Sequence, residues 1–133
     1  MQGTYRTYKA HEALAIHRAV VQATDDGEVK YPGAANVAGF VGFSDDAAAA
    51  DKNVTVQESG ECFAVAAGVI AAGDRCAIAG TTGKIVSCEA TIIAAPGTPS
   101  NNEVVCVARQ TAAADGDVVR VRINPFLVKV ATS

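Results

Sequence analysis

The segment VGFSDDAAAADKNV, residues 41–54, has a second version later in the chain, VCVARQTAAADGDV, residues 105–118. The two segments align without a gap, and six of the fourteen positions are identical. Each begins with a Val-rich stretch typical of a strand and continues into an Ala-rich loop that leads to another valine. A match of this kind at a fixed spacing indicates an internal repeat.

A weaker match lies upstream of each copy. Residues 18–29 resemble residues 75–85 after an adjustment of one residue in the turn, and the two blocks keep the same order in both parts of the chain. We therefore predict two related halves, about residues 15–58 and 70–124, that wrap around a common core.

The composition favours strands over helices. The 133 residues are enough for one domain, and they include 18 Val and 7 Ile against 2 Leu and 1 Met. Branching at Cβ restricts a side chain in a helix and suits a pleated sheet. We predict an all-β fold, a compact β-barrel or sandwich over residues 15–133, preceded by an N-terminal arm over residues 1–14.

Local patterns support this prediction. Apolar and charged residues alternate over Val119–Ile123, which indicates a half-buried strand with outward-facing arginines. Residues 25–27 and 81–83 each end in Gly between strand-like stretches and are predicted hairpin turns. Residues 94–103, with two prolines, a glycine and two asparagines, are predicted to form an exposed loop.

Charge argues against nucleic acid as a partner. The chain carries 11 basic and 14 acidic residues, a formal net charge of −3, and its pI is near 5.2. This is the wrong sign for a protein that neutralises phosphates. The sequence also has no apolar run of about 20 residues and no secretory leader, so we expect no membrane partner.

The residues usual in enzyme active sites do not form a recognisable pattern. Residues 80–84, GTTGK, lack the first glycine and the final Ser or Thr of a phosphate-binding loop, so a hairpin is the better interpretation. His11 and His17 have no cysteine near them in sequence, and no serine or cysteine lies in a nucleophile motif. We expect no catalytic residues, no metal site and no cofactor.

The four cysteines, Cys62, Cys76, Cys88 and Cys106, are spaced by 14, 12 and 18 residues and form no C-x-x-C pair. Each lies in an apolar, strand-like stretch, where a free cysteine behaves as a small hydrophobic residue. Two disulfides are possible by number, but buried free thiols are the preferred interpretation for a protein made in the cytoplasm.

The beginning of the chain is the best candidate for partner contact. It is rich in β-forming residues, is positively charged in an acidic protein and holds two of the three tyrosines, as Thr4, Tyr5, Arg6, Thr7, Tyr8 and Lys9. Such a segment can add as a strand to the sheet edge of another chain, and the alternative is an edge strand of the protein's own barrel or a frayed terminus. The exposed loop supplies further contact candidates: Pro96, Gly97, Thr98, Pro99, Asn101 and Asn102.

The sequence resembles the small capsid cement, or head decoration, proteins of tailed bacteriophages. The resemblance covers roughly Ile16 to Asn124 and rests on residues 54–60, 68–75, 83–86 and 105–123. It implies a mainly β structural protein, not an enzyme, that is made in the host cytoplasm and binds the outer capsid surface of the virion. The implied partners are the major capsid protein and other copies of the chain, as a dimer or trimer that clamps neighbouring capsomers.

A lipoyl-like barrel-sandwich carrier is the alternative. Residues 68–75 and 83–84 also fit that fold, but such a carrier needs a modifiable lysine at the tip of its hairpin, usually beside Met or Ala. Lys84 follows Gly83 in a Thr-Gly turn and departs from this pattern.

Overall fold

The computed structural model describes residues 3–32, 39–79, 81–89 and 100–130. The all-β prediction is confirmed, because the regular elements of the described residues are ten strands: β1 Tyr5–Ala10, β2 Ala19–Gln22, β3 Glu28–Lys30, β4 Phe40–Ser44, β5 Asn53–Gln57, β6 Glu61–Val65, β7 Arg75–Ala79, β8 Lys84–Ser87, β9 Ser100–Ala108 and β10 Val118–Val130.

The strands form two groups with the same pairing pattern. The first closes into a barrel in the order β1-β3-β2-β4-β5, and the second is a sheet in the order β6-β10-β9-β7-β8. In both groups the first strand pairs antiparallel with the fifth, the fifth with the fourth, the fourth with the second and the second with the third. β1 also pairs in parallel with β3, and its counterpart is a parallel bridge between Ala66 and Ile85. The fold therefore contains the same five-stranded unit twice.

Details outside the strands repeat as well. The antiparallel bridge between Leu14 and Ala48 in the first unit has its counterpart between Ile70 and Ala112 in the second. Three backbone positions with positive φ also recur: His17 and Gly73, Gly27 and Gly83, Asp51 and Gly116. Because loop conformations as well as strands recur, the two units share a detailed backbone path.

The repeat begins earlier than the sequence indicated. The first unit spans residues 5–57 and the second spans residues 61–122, instead of 15–58 and 70–124. The segment expected to form a free arm over residues 1–14 contains β1, which pairs with β5 over five positions and with β3 over two. The segment is a strand of the protein's own barrel, but it pairs on both sides and is therefore not an edge strand. A free arm does not describe the segment, because the backbone of β1 completes the barrel.

The common core predicted from the repeat is also corrected. Each unit has its own buried cluster, one built around Val20, Val29 and Val54 and the other around Ile70 and Ile85. The second cluster also takes in Ala19 and Phe43, which belong to the first unit. The two units therefore have separate main cores that share packing where Ala19 and Phe43 enter the second cluster.

One contact explains why the first unit is closed and the second is open. In the first unit, the N–H of Lys9 donates to the carbonyl of Gly27 at 2.9 Å and joins β1 to the start of β3. In the second unit, the segment His17–Ala19 occupies the equivalent gap. The N–H of Val65 donates to His17 at 3.2 Å, and the N–H of Ala19 donates to Gly83 at 2.7 Å. The segment His17–Ala19 of the first unit thus lies between the end of β6 and the start of β8 in the second unit.

Candidate interaction surface

The side chains of β1 divide between the barrel interior and the solvent. Ala10 is buried and Tyr8 packs partly against the core of the first unit, whereas Tyr5, Thr7 and Lys9 are exposed. The alternation of a half-buried strand thus holds over residues 7–10, and Arg6 is exposed like its two neighbours. Tyr5 is 46% exposed, a large value for a tyrosine in a strand, and so offers an aromatic ring to a partner.

Three of the predicted contact residues have side-chain partners within the chain, and one of them is Lys9, whose Nζ lies 3.8 Å from the carboxylate of Glu28. The hydroxyl of Tyr8 donates to the carboxylate of Glu58, and Nε of Arg6 lies 3.5 Å from the same carboxylate. Burial and the hydrogen bond to Glu58 raise the pKa of Tyr8 to about 12. The phenol is therefore a neutral donor that fixes the end of β1 to the chain after β5.

The backbone of β1 has an open stretch. The N–H of Ala10 bonds toward β5 at 2.8 Å, and that of Lys9 bonds toward β3 at 2.9 Å, so odd-numbered residues face β3. Tyr5 and Thr7 lie beyond the start of β3, and among the residues described they have no backbone partner on that side. This part of β1 can accept an additional strand.

The start of β1 meets residues 58–60, which connect the two units. We call the start of β1 and these connecting residues the linker end. The N–H of Thr4 donates to Oγ of Ser59 at 3.0 Å, and the N–H of Ile123 in β10 donates to the carbonyl of Gly60 at 2.9 Å. The first strand of the first unit and the last strand of the second therefore converge on residues 58–60.

A buried amide holds this connection in place. Gln57 is almost fully buried, and its Nε2 donates to the carbonyls of Ser59 at 2.9 Å and Glu61 at 2.7 Å. Buried polar groups with satisfied hydrogen bonds hold one defined geometry. The linker end is thus a constrained part of the surface.

The predicted loop over residues 94–103 is wrong at its end. Ser100–Glu103 form the beginning of β9, paired with Leu127–Val130 of β10, so Asn101 lies opposite Lys129 and Asn102 opposite Val128. The continuing β10 offers backbone partners that outweigh the weak strand propensity of Ser and Asn. The other loop candidates, Pro96, Gly97, Thr98 and Pro99, lie outside the described residues.

This two-stranded ribbon, residues 100–103 with 127–130, extends beyond the repeated unit. The counterparts of β9 and β10 in the first unit, β4 and β5, begin at Phe40 and end at Gln57 and have no such extension. The ribbon continues from β10 just after Ile123, the residue bonded to Gly60. Asn101 and Asn102 therefore belong to an extension of the linker end.

The histidines and the carboxylates near them are engaged in local contacts. Nδ1 of His11 lies 3.2 Å from the carboxylate of Glu28, and the ring of His17 packs at 5.7 Å on Phe63. In the part of the chain that the structure describes, no cluster of three or more His, Cys, Asp or Glu residues is suited to hold a metal ion.

The cysteines are free and buried, as predicted, and all four belong to the second unit. Burial raises the pKa of Cys62 to about 12 and that of Cys88 to about 11, and it also raises the pKa of Cys106. A thiol is nucleophilic as its thiolate, so these protonated cysteines act as packing residues.

The hairpin that contains Lys84 does not present this lysine at a free tip. The turn residue Gly83 accepts a hydrogen bond from Ala19 of the first unit, and Nζ of Lys84 lies 3.0 Å from the carboxylate of Asp115. A carrier lysine must reach a modifying enzyme, so this arrangement disfavours the lipoyl-like alternative.

Among the residues that the structure describes, no helix combines the length and the apolar character required to cross a bilayer.

Comparison with known proteins indicates a shared fold. Neither the family models nor the curated proteins contain a match to this chain. Among solved structures, the chain is similar to the crystal structure of the head fiber gp8.5 N base in bacteriophage phi29, with a TM-score of 0.63 and 17% sequence identity. The match covers 92% of this chain and 95% of the other. At this identity the likeness establishes a shared fold over nearly the whole chain.

Proposed function

We propose that this chain is a structural protein of a bacteriophage particle, located on the outer surface of the assembled head. The observation that carries the proposal is the fold shared with a phage head fiber base over 92% of the chain. The resemblance of the sequence to head decoration proteins points to the same place in the particle. The main partner is then the major capsid protein, and the chain has no catalytic task.

The linker end is the surface that attaches to the head. It brings together the exposed ring of Tyr5, the open backbone of Tyr5 and Thr7, and the root of the ribbon that carries Asn101 and Asn102. An added strand would obtain affinity from backbone bonds and specificity from such side chains. The constrained linker lowers the entropy cost of binding.

The protein attaches as a homo-oligomer, a dimer or a trimer, and clamps neighbouring capsomers. A ligand that binds the assembled shell, and not its dissociated subunits, opposes disassembly by mass action, by about 2.7 kcal/mol per site at a hundredfold excess over Kd. Because a shell offers many equivalent sites, modest contacts at each of them are enough.

The test uses phage heads produced without this protein, to which the purified chain is added. Co-sedimentation measures attachment, and release of DNA on heating measures stabilisation of the head. We expect the chain to sediment with the heads and to raise the temperature of DNA release. Failure to sediment would contradict the proposal. Attachment without stabilisation would contradict the clamping of neighbouring capsomers.

Two variants locate the contact. Tyr5→Ala changes the linker end, and Val69→Ala changes a residue that is 72% exposed beyond the far end of β6. We expect Tyr5→Ala to weaken co-sedimentation and Val69→Ala to leave it unchanged. The opposite result would place the contact elsewhere on the chain.

A further inference from the structure

β10 carries a row of outward-facing side chains across the second unit. Val119 and Val121 are buried in its core, and the residues that alternate with them, Val118, Arg120 and Arg122, are exposed. The sequence pattern predicted this alternation. What the pattern could not give is the set of side chains that lie next to the two arginines.

Arg120 has an aromatic ring on one side and another arginine on the other. Its guanidinium lies 5.9 Å from the centroid of Phe63, which is directly opposite in β6. The N–H of Arg109 donates to the carbonyl of Arg120 at 2.8 Å. We call Phe63, Arg109, Arg120 and Arg122 the arginine face.

Positive charge on this face is only partly balanced. Glu61, the residue opposite Arg122 in β6, lies 3.6 Å from Nε of Arg109. Within the described residues, Arg120 and Arg122 have no carboxylate at ion-pair distance. Three guanidiniums therefore share one nearby carboxylate.

This local excess contrasts with the rest of the molecule. Residues 1–58 contain five basic and eight acidic side chains, and residues 59–133 contain six of each. The negative charge of the protein thus comes from the first unit, and the arginine face is a positive surface on an acidic chain. Arginine beside an aromatic ring is enriched at protein interfaces, where its planar fork binds carboxylates.

We infer that the arginine face binds a carboxylate-rich surface of a partner protein. This inference rests on the proposed function, because β10 leads from this face to the linker end and the head surface is the partner available there. The ring of Phe63 holds the guanidinium of Arg120 over an apolar surface, and Arg122 is free to pair. The net charge of −3 opposes the approach of a nucleic acid.

The test compares two double variants with the same change in charge. Arg120→Glu with Arg122→Glu alters the arginine face, and Lys30→Glu with Lys52→Glu alters the first unit. The probes are poly-L-glutamate and a DNA duplex, titrated at about 20 mM salt, where exposed charges are weakly screened. Circular dichroism and thermal unfolding check the fold, and Arg120→Gln with Arg122→Gln replaces the reversal if that variant does not fold.

We expect poly-L-glutamate to bind the unmodified chain, the arginine variant to bind about tenfold more weakly or worse, and the lysine variant to keep its affinity. Equal losses in both variants, no binding of poly-L-glutamate, or tighter binding of the duplex would overturn the inference.

Co-sedimentation with heads separates this inference from the proposed function. If the unmodified chain and the arginine variant sediment equally, the arginine face is not the contact and the proposed function stands. If the unmodified chain does not sediment, the proposed function fails, and the poly-L-glutamate titration still tests the chemistry of the face.

Discussion

Two glycines at equivalent positions of the two units differ in the space around them. Gly27 and Gly83 have almost the same backbone, with φ of 75° and 74°. A Cβ at position 27 would meet nothing within 4 Å, whereas a Cβ at position 83 would lie 2.5 Å from the carbonyl oxygen of Ala19 and 2.9 Å from Cβ of Arg18. The first glycine serves a turn, and the second serves a turn and an interface.

Alanine at these two positions therefore has different effects. Gly27→Ala should lower the free energy of unfolding by about 1–2 kcal/mol, the cost of a left-handed backbone for a residue with a Cβ. Gly83→Ala should cost at least about 1 kcal/mol more, because the backbone of Ala19 must move. Urea unfolding of both variants measures the difference. Equal losses would mean that the turn does not pack on the first unit as described.

His17 makes the contact between the two units sensitive to pH. Its φ is 63°, its carbonyl accepts the N–H of Val65, and its ring packs on Phe63. Burial lowers the pKa of His17, and the nearby Asp45 opposes this shift in part.

The unfolded chain consequently binds a proton at His17 more readily than the folded chain does. The stability that neutral His17 contributes is present above its unfolded pKa and is lost as pH falls below about 6.5. We expect wild type to lose more stability than His17→Asn between about pH 7.5 and pH 5, since asparagine tolerates this backbone and does not titrate. Urea midpoints at the two pH values give the comparison, and parallel pH profiles would exclude His17 as the cause.

At the level of strands, β1 is the element whose role can be tested most directly. The N–H of Arg6 faces β5, as does that of Ala10, and the N–H of Thr7 faces the open side. Proline removes a backbone donor. Arg6→Pro should therefore lower the unfolding free energy by about 3 kcal/mol, and Thr7→Pro should cost clearly less. Thermal unfolding measures both, and an equal or larger loss for Thr7→Pro would show that its N–H is bonded.

The same strand shows where sequence reasoning reached its limit. β1, Tyr5–Ala10, and its counterpart β6 with the following Ala66 share one identical residue, the final alanine. Their equivalence lies in backbone pairing, which sequence identity does not report. The segment therefore resembled an arm, although a fixed place in a barrel had been one of the two alternatives.

Other elements were predictable because their signals are local. The turns at residues 25–27 and 81–83 have glycine at the position with positive φ, and the alternation over Val119–Ile123 matches burial residue by residue. Ser100–Glu103 were not predictable, since their strand depends on a distant partner, residues 127–130. Phe63 was missed at the arginine face for the same reason: its position opposite Arg120 is a tertiary contact.

At the level of the molecule, the docking contact of the first unit has a different counterpart in the second unit. The N–H of Ala19 reaches Gly83 of the second unit, but the N–H of its counterpart, Arg75, donates to the carboxylate of Glu89 at 2.8 Å. The guanidinium of Arg75 binds the same carboxylate, and these bonds lower the pKa of Glu89 to about 2. The N–H that the first unit uses for docking is thus satisfied within its own unit in the second.

Whether the two units unfold together follows from the shared packing at their joint. Phe43 of the first unit is buried in the cluster of the second, whereas Val54 is buried in the first cluster. All four cysteines lie in the second unit, so the rate at which a thiol reagent labels them reports the opening of that unit.

We expect the chain to unfold as one cooperative molecule, because residues 17–19 of the first unit supply hydrogen-bond partners to β6 and to the turn before β8 in the second unit. Val54→Ala should then accelerate labelling of the cysteines about tenfold or more, for a loss of about 1.5–2 kcal/mol. Phe43→Ala, at about 3–5 kcal/mol, should accelerate it further. If the units opened independently, Val54→Ala would leave the labelling rate at the wild-type value. Phe43→Ala would still raise it, and this pair of results would reduce the joint to a contact between two separate folding units.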